Sequence, residues 1–251
     1  MPCRPGSGAP MAATTHPSPE GAEGHRPAAA PAKGAEPGAG RPALRTLRFD
    51  LTERVVHWTS AVVVLSLTAT GAFLYVPSLG TLVGHRLAVE DAHVWAGVAV
   101  FAPVLGGVLG PWGRRLRHDL HQVRDLGPDE LDWLRSLGRL DRSALGKFNP
   151  GQKLSTNAMA GLLVVLFATG LVMRWGNFMP VGMRTGATFV HDVSAFALLA
   201  VVLGHIGFAL SHPNALRSMV TGWVPARWVQ RHAPAWQGEE LPPRSARGEP
   251  R

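Results

Sequence analysis

A single cysteine, Cys3, stands in a chain of 251 residues. Without a second thiol there is no internal disulfide, no thiolate-held iron–sulfur cluster and no thioether-linked haem, so any metal has to be held by other ligands. A nucleophile triad, a phosphate-binding loop and a non-haem metal motif are also missing, and no dehydrogenase activity of the chain's own is expected. Residues 1–41 have almost no large apolar side chains. Built of Ala, Pro and Gly with scattered charge, they cannot bury enough surface to offset the entropy of ordering, and they read as a disordered tail. They hold no apolar core followed by a cleavage site, which sets them apart from a secretory signal. Residues 237–251 read as a second, polar tail.

Between the tails, large apolar blocks alternate with basic connectors. The blocks run over about 55–76, 92–112, 154–175 and 188–210, each long enough to span a hydrocarbon layer of ~30 Å. The expected fold class is therefore all-α, an integral membrane four-helix bundle over residues 42–236. Pro103 and several glycines interrupt the second block, which neighbouring helices can accommodate. Pro77 and Gly80 mark a turn, and a short amphipathic helix is expected at the membrane surface around Pro128 to Leu140. The net charge of +8 could suggest nucleic acid, but its distribution points to a membrane. All but three of the 25 Lys and Arg residues fall on one side of the four spans; Arg86, Arg174 and Arg184 are the exceptions. By the positive-inside bias that side is cytoplasmic, it holds both termini, and no nucleic-acid partner is expected.

Four of the eleven histidines lie in or just inside these blocks: His57, His93, His191 and His205. His191 and His205 are 14 residues apart, which returns to within about 40° of one helix face and separates them by roughly 21 Å along the axis. His57 and His205 share the cytoplasmic level, while His93 and His191 share the outer level. Imidazole is the usual protein ligand of haem iron, and an apolar slot between helices suits a flat macrocycle. Two bis-histidine b-type haems stacked across the bilayer follow, as a transmembrane electron path. The competing reading is four hydrogen-bonded packing residues. Gly71 follows His57 by 14 residues and Gly107 follows His93 by 14. Each would offer a patch without a side chain at the level of the haem that its own helix does not ligate, or else simply let helices pack closely. His16, His25, His85, His118, His121, His212 and His232 are not ligand candidates; His212, before Pro213, reads as a helix-end residue within possible reach of a propionate.

The segments ERVVHW at 53–58, HVWAG at 93–97, GKFNPGQK at 146–153 and GWVPARWVQRHAPAW at 222–236, together with His191 and His205, resemble the cytochrome b subunit of membrane-bound formate dehydrogenase, over about 48–236. The histidine spacing alone fits the wider group of bacterial four-helix cytochromes b, including those of nickel–iron hydrogenases or other periplasmic oxidoreductases. The resemblance implies a bacterial inner-membrane anchor for a periplasmic iron–sulfur subunit and a molybdenum or tungsten catalytic subunit, in a complex that can form higher oligomers. It further implies two haem b, an outer one on His93 and His191 and an inner one on His57 and His205, through which electrons reach menaquinone or ubiquinone near the cytoplasmic face. The quinone site would comprise Asn149, Gly151 and Gln152, beside His205. Phe148 and Pro150 depart from the family's motif but leave its polar residues in place, and the long N-terminal tail lies outside the family pattern.

The motif also has a physical logic of its own. Asn149 and Gln152 supply side-chain amides for a quinone carbonyl, and Gly151 lets backbone approach closely. The alternative is an ordinary polar turn capping the third span. From the helical bundle alone, a haem-free membrane anchor or a transporter remains the reading from another class.

Overall fold

The computed structural model describes residues 45–136 and 145–236; the expected tails 1–41 and 237–251 lie outside them. In chain order the elements are β1 (Arg45–Leu47), α1 (Leu51–Tyr75), α2 (Pro77–Val83), α3 (Arg86–Val98), α4 (Ala102–Leu109), α5 (Arg114–Arg124), α6 (Pro128–Arg135), α7 (Pro150–Trp175), a 3-10 turn (Gly176–Phe178), α8 (Val181–Ser211), α9 (Pro213–Thr221), β2 (Trp223–Pro225) and α10 (Ala226–His232). Four segments are long and apolar enough to cross a membrane: Leu51–Tyr75, Arg86–Leu109, Pro150–Phe178 and Val181–Ser211. At most 17% of the apolar window of any of them is buried inside the protein, so Val62, Leu65, Leu105, Val164, Phe196 and Leu203 point outward. Such a surface suits hydrocarbon, where every backbone polar group is satisfied within the helices.

The helices start before the apolar blocks, and for two of them, α1 and α7, a side-chain cap sets where they begin. Asp50 caps α1 by accepting from the Glu53 N–H at 2.8 Å, while the Glu53 carboxylate accepts from the Asp50 N–H at 2.6 Å. Asn149 and Gln152 form the same reciprocal box at the head of α7, with Pro150 in its first turn. The second crossing starts at Arg86, six residues ahead of the apolar block. The Arg86 guanidinium donates to the Leu74 carbonyl near the end of α1 at 3.3 Å. This crossing breaks over 99–101. Pro103 has no N–H, and its ring would collide with the carbonyl of Ala99 in a continuous helix. The turn at Pro77 is itself helical, with Pro77 in the first turn of α2. The amphipathic segment is realised as α6, which is tied to α7 through Lys153 and Glu130 at 2.7 Å; residues 137–140 of that expectation are not described.

Helix α1 packs on α3 and α4, α7 on α8, and α3 on α7. Tyr75 meets Phe196 edge-on at 5.3 Å, bridging α1 and α8, and Phe101 meets Phe167 at 5.5 Å at the break in the second crossing. An addition to the all-α expectation is a two-stranded antiparallel pairing of β1 with β2, in the register Arg45↔Pro225, Thr46↔Val224, Leu47↔Trp223. Gly222 makes the join possible. It adopts φ +87, and its carbonyl accepts from the Arg48 and Phe49 N–H groups; a Cβ would lie 2.7 Å from the Phe49 carbonyl oxygen. Val224, Val229 and Ala233 form a small core there, covered by Trp228 and Trp236.

At this end lies a buried charge cluster that joins four parts of the chain. Lys147 reaches Glu53 at 3.1 Å and also Asp119, and Arg48 donates to the Lys147 carbonyl at 3.1 Å. All four side chains are buried, two of them basic and two acidic. Aromatic faces complete the enclosure: the Arg48 guanidinium lies 4.8 Å from the Trp228 ring and Lys147 Nζ lies 4.9 Å from Phe49. Burial pushes the Arg48 guanidinium down to about 10, against the opposing pull of Asp119, which leaves it charged at neutral pH. Replacing Lys147 with Met removes the one cation that contacts both Glu53 and Asp119 in this closed site. The expected loss is ~3–5 kcal/mol, read as a lower melting temperature in detergent, and Lys147→Met combined with Glu53→Gln should recover part of it.

Candidate functional site

The four histidines within the apolar segments come together as two pairs. His57 of α1 faces His205 of α8 with ring centres 6.3 Å apart, and His93 of α3 faces His191 of α8 at 6.4 Å. All four rings are half-buried. Helix α8 contributes one ring to each pair, and the 14 residues between them set the pairs roughly 21 Å apart along its axis. The pairing follows from direction: α1 and α8 run antiparallel, while α3 and α8 enter from the same end.

The separations fit a shared metal. A metal–imidazole bond is ~2.0 Å, and a five-membered ring with ~1.35 Å bonds places its centre about 1.15 Å beyond the nitrogen. Two imidazoles on opposite sides of one metal therefore have centres about 6.3 Å apart. Edge-to-face aromatic pairs cover the same range, so hydrogen bonding provides the second criterion. Nδ1 of His93 lies 2.9 Å from the Thr70 hydroxyl, and Nδ1 of His191 lies 2.9 Å from that of Thr169. Each hydroxyl already donates its one proton to a carbonyl a turn earlier, Ser66 at 2.7 Å and Val165 at 2.8 Å. With the hydroxyl protons on those carbonyls, the rings donate from Nδ1 and keep the Nε2 lone pairs for a ligand.

Glycines give these rings their place. A Cβ on Gly71 would lie 3.4 Å from His93 Cε1, and one on Gly170 would lie 3.5 Å from His191 Cε1. Gly71 thus lies at the level anticipated for it, against the ring itself. Gly107 differs. A Cβ there would come within 2.5 Å of Val56 and 2.8 Å of Leu116, so it serves the close approach of α4 to α1 beside His57 and exposes no open patch. Thr70, Thr169 and Gly170 were not singled out from the sequence, although the tripeptide Ala-Thr-Gly recurs at 69–71 and 168–170. Arg115 Nη1, on α5, is buried with no hydrogen-bond partner in the protein.

The 146–153 motif sits at the head of α7, at the end where His57 and His205 lie. Asn149 Oδ1 accepts from the Gln152 N–H at 2.8 Å, and Gln152 Oε1 accepts from the Asn149 N–H at 3.1 Å. The polar turn capping the third span is thus real, but it uses only the amide oxygens. Both side-chain NH2 groups remain as donors. Gly151 stands between them, its Cβ position 3.3 Å from Asn149 Oδ1. Neither amide bonds to His205, whose ring is engaged with His57. A cavity of about 500 Å³ opens beside the motif, lined by Phe148, Lys147 and Lys153 with His118, His121 and Trp236. Asn149 and Gln152 flank it through their neighbours Phe148 and Lys153.

Three of the other histidines among the described residues have contacts of their own. His212 donates from Nδ1 to the Phe208 carbonyl at 2.9 Å and stacks on the Phe208 ring at the α8–α9 junction. His232 stacks on Trp228, and His118 bonds Gln122.

Residues 48–222 match the family described as prokaryotic cytochrome b561. The cytochrome b556(fdo) subunit of formate dehydrogenase from Escherichia coli K12 is 26% identical over 203 residues, covering 77% of this chain and 92% of that protein. The formate dehydrogenase cytochrome b556 subunit of Haemophilus influenzae is 25% identical over 78% of this chain and 84% of its own length. The nitrate-inducible cytochrome b556(Fdn) subunit of formate dehydrogenase from E. coli K12 is 22% identical over 77% and 90%. Replacing Asn149 with Ala removes the cap of α7, and an expected loss of ~1 kcal/mol should appear as a modest drop in melting temperature.

Proposed function

The chain belongs to the prokaryotic cytochrome b561 family, multi-pass membrane proteins that hold haem b, and on that premise we propose that it is the dihaem cytochrome b subunit of a formate dehydrogenase complex. It anchors an iron–sulfur subunit and a molybdenum or tungsten catalytic subunit on the periplasmic face of a bacterial inner membrane. It carries their electrons to menaquinone or ubiquinone near the cytoplasmic face, where both of its termini lie. The observation that supports this most is the pair of imidazole separations, 6.3 and 6.4 Å, both anchored on α8 and both of the size that suits a shared metal.

When bound, haem b supplies a one-electron iron couple. The chain's own residues do the rest. His93 and His191 hold the haem at the end of the bundle that carries the short turns, where electrons enter from the partner. His57 and His205 hold the second, at the end that carries the 146–153 motif. The unpartnered Nη1 of Arg115 would be available to a carboxylate of a bound cofactor. The amides of Asn149 and Gln152 donate to a quinone carbonyl, with Gly151 letting the ring come close. His118 and His121 line the neighbouring cavity. Formate oxidation belongs to the catalytic subunit; the names of the relatives favour formate over the hydrogenase reading that the histidine spacing alone allowed.

Two experiments test the reading. His93→Ala and His191→Ala should each remove the same haem from the optical spectrum and spare the other; loss of different haems contradicts the pairing. Asn149→Leu or Gln152→Leu should slow quinol formation at least tenfold while both haems remain reducible by the partner. Unchanged quinone kinetics would remove the site from this motif.

A further inference from the structure

The two imidazole pairs are not equivalent. Both rings of the His93–His191 pair meet a threonine hydroxyl at Nδ1, and those hydroxyls are in turn held by backbone carbonyls of their own helices. Neither His57 nor His205 makes a side-chain hydrogen bond among the described residues. The asymmetry rests on matched machinery: Ala69-Thr70-Gly71 on α1 and Ala168-Thr169-Gly170 on α7. In each, the threonine binds the ring and the next glycine clears space against its Cε1.

We infer that Thr70 and Thr169 are positioning residues that keep Nε2 of His93 and His191 as the ligating nitrogens and hold the haem at this pair at a lower midpoint potential than the haem at His57 and His205. The inference rests on the dihaem reading above. An imidazole whose second nitrogen donates a hydrogen bond is a more basic ligand. A more basic ligand favours the oxidised, more positively charged iron, and so lowers the potential; second-shell hydrogen bonding is one of the levers a protein has over haem. Here the lever acts on both axial ligands of one site and on neither of the other. The carboxylate of Asp192, next to His191 in the chain, adds a negative charge that acts in the same sense. Electrons move toward the higher potential. The protein therefore builds a downhill step from the His93–His191 end to the His57–His205 end, the same direction as the proposed flow toward quinone.

The test is an equilibrium optical redox titration of the full chain in its purified complex. Wild type should show two components, and the lower one should be the component missing from His93→Ala. Thr70→Val and Thr169→Val keep the side-chain volume and remove the acceptor; each should shift the lower component upward and leave the upper one in place, with a larger shift in the double variant. Thr70→Ser and Thr169→Ser, which keep the hydroxyl, should titrate like wild type. If a valine expels the haem, Thr70→Ala and Thr169→Ala are titrated instead. Two unmoved components in the valine or alanine variants, equal shifts of both components, serine variants that shift like valine, or a lower component that survives His93→Ala would each overturn the inference. A wild-type chain with a single component or none would instead overturn the dihaem reading on which it rests.

Discussion

The bundle holds two imidazole pairs with their ring centres 6.3 and 6.4 Å apart, the separation that suits two rings on one metal. Helix α8 is the common rail: it presents His191 to α3 and His205 to α1 from one face. A bundle packed only to bury apolar surface would draw its helices together at these levels. The small residues act to position rings instead, with Gly71 and Gly170 making room for imidazoles and threonines fixing which nitrogen is free.

The end of the molecule that carries the 146–153 motif is made rigid by other means. Hydrocarbon can hold the spans, but the connectors there are polar and need their own framework. The β1–β2 pairing ties the entry to α1 to the segment after α9, and the buried Lys147 fixes α1 and α5 to the motif that caps α7. A buried ion cluster is poor evidence for stability in itself. Its value here is registry: a cation on the motif and carboxylates on two helices admit one arrangement. Asn149 and Gln152 begin α7 from within that framework, so the amide groups left free by capping are presented from a fixed backbone rather than a mobile loop.

Much of this was legible in the chain. The four spans follow from length and hydropathy, and the histidine pairs from helical spacing plus the alternating direction of the spans, because both are one-dimensional rules. The helix starts at Leu51, Arg86, Pro150 and Val181 were not, since each helix continues past the hydrocarbon edge into polar sequence, two of them from the side-chain caps Asp50 and Asn149. The clustering of Arg48, Glu53, Asp119 and Lys147 was hidden because its members are separated by up to 99 positions and each alone reads as a solvated charge. Gly107 was misleading for the opposite reason: its spacing matched that of Gly71, but Val56 and Leu116 fill the place a side chain would take. The threonines were missed although the repeated Ala-Thr-Gly was visible, because hydroxyl residues in apolar helices usually bond their own backbone. Thr70 and Thr169 do this as well, and it is what turns them into acceptors.

The central claim is that each chain holds two haems, each between two imidazoles. The most direct measurement is haem stoichiometry on the purified full-length chain, by pyridine haemochromogen absorbance against quantitative amino-acid analysis, with low-temperature electron paramagnetic resonance of the oxidised protein. The account predicts two haem b per polypeptide, both low-spin with bis-histidine signatures. One haem per chain, or a high-spin five-coordinate signal from either site, would contradict it.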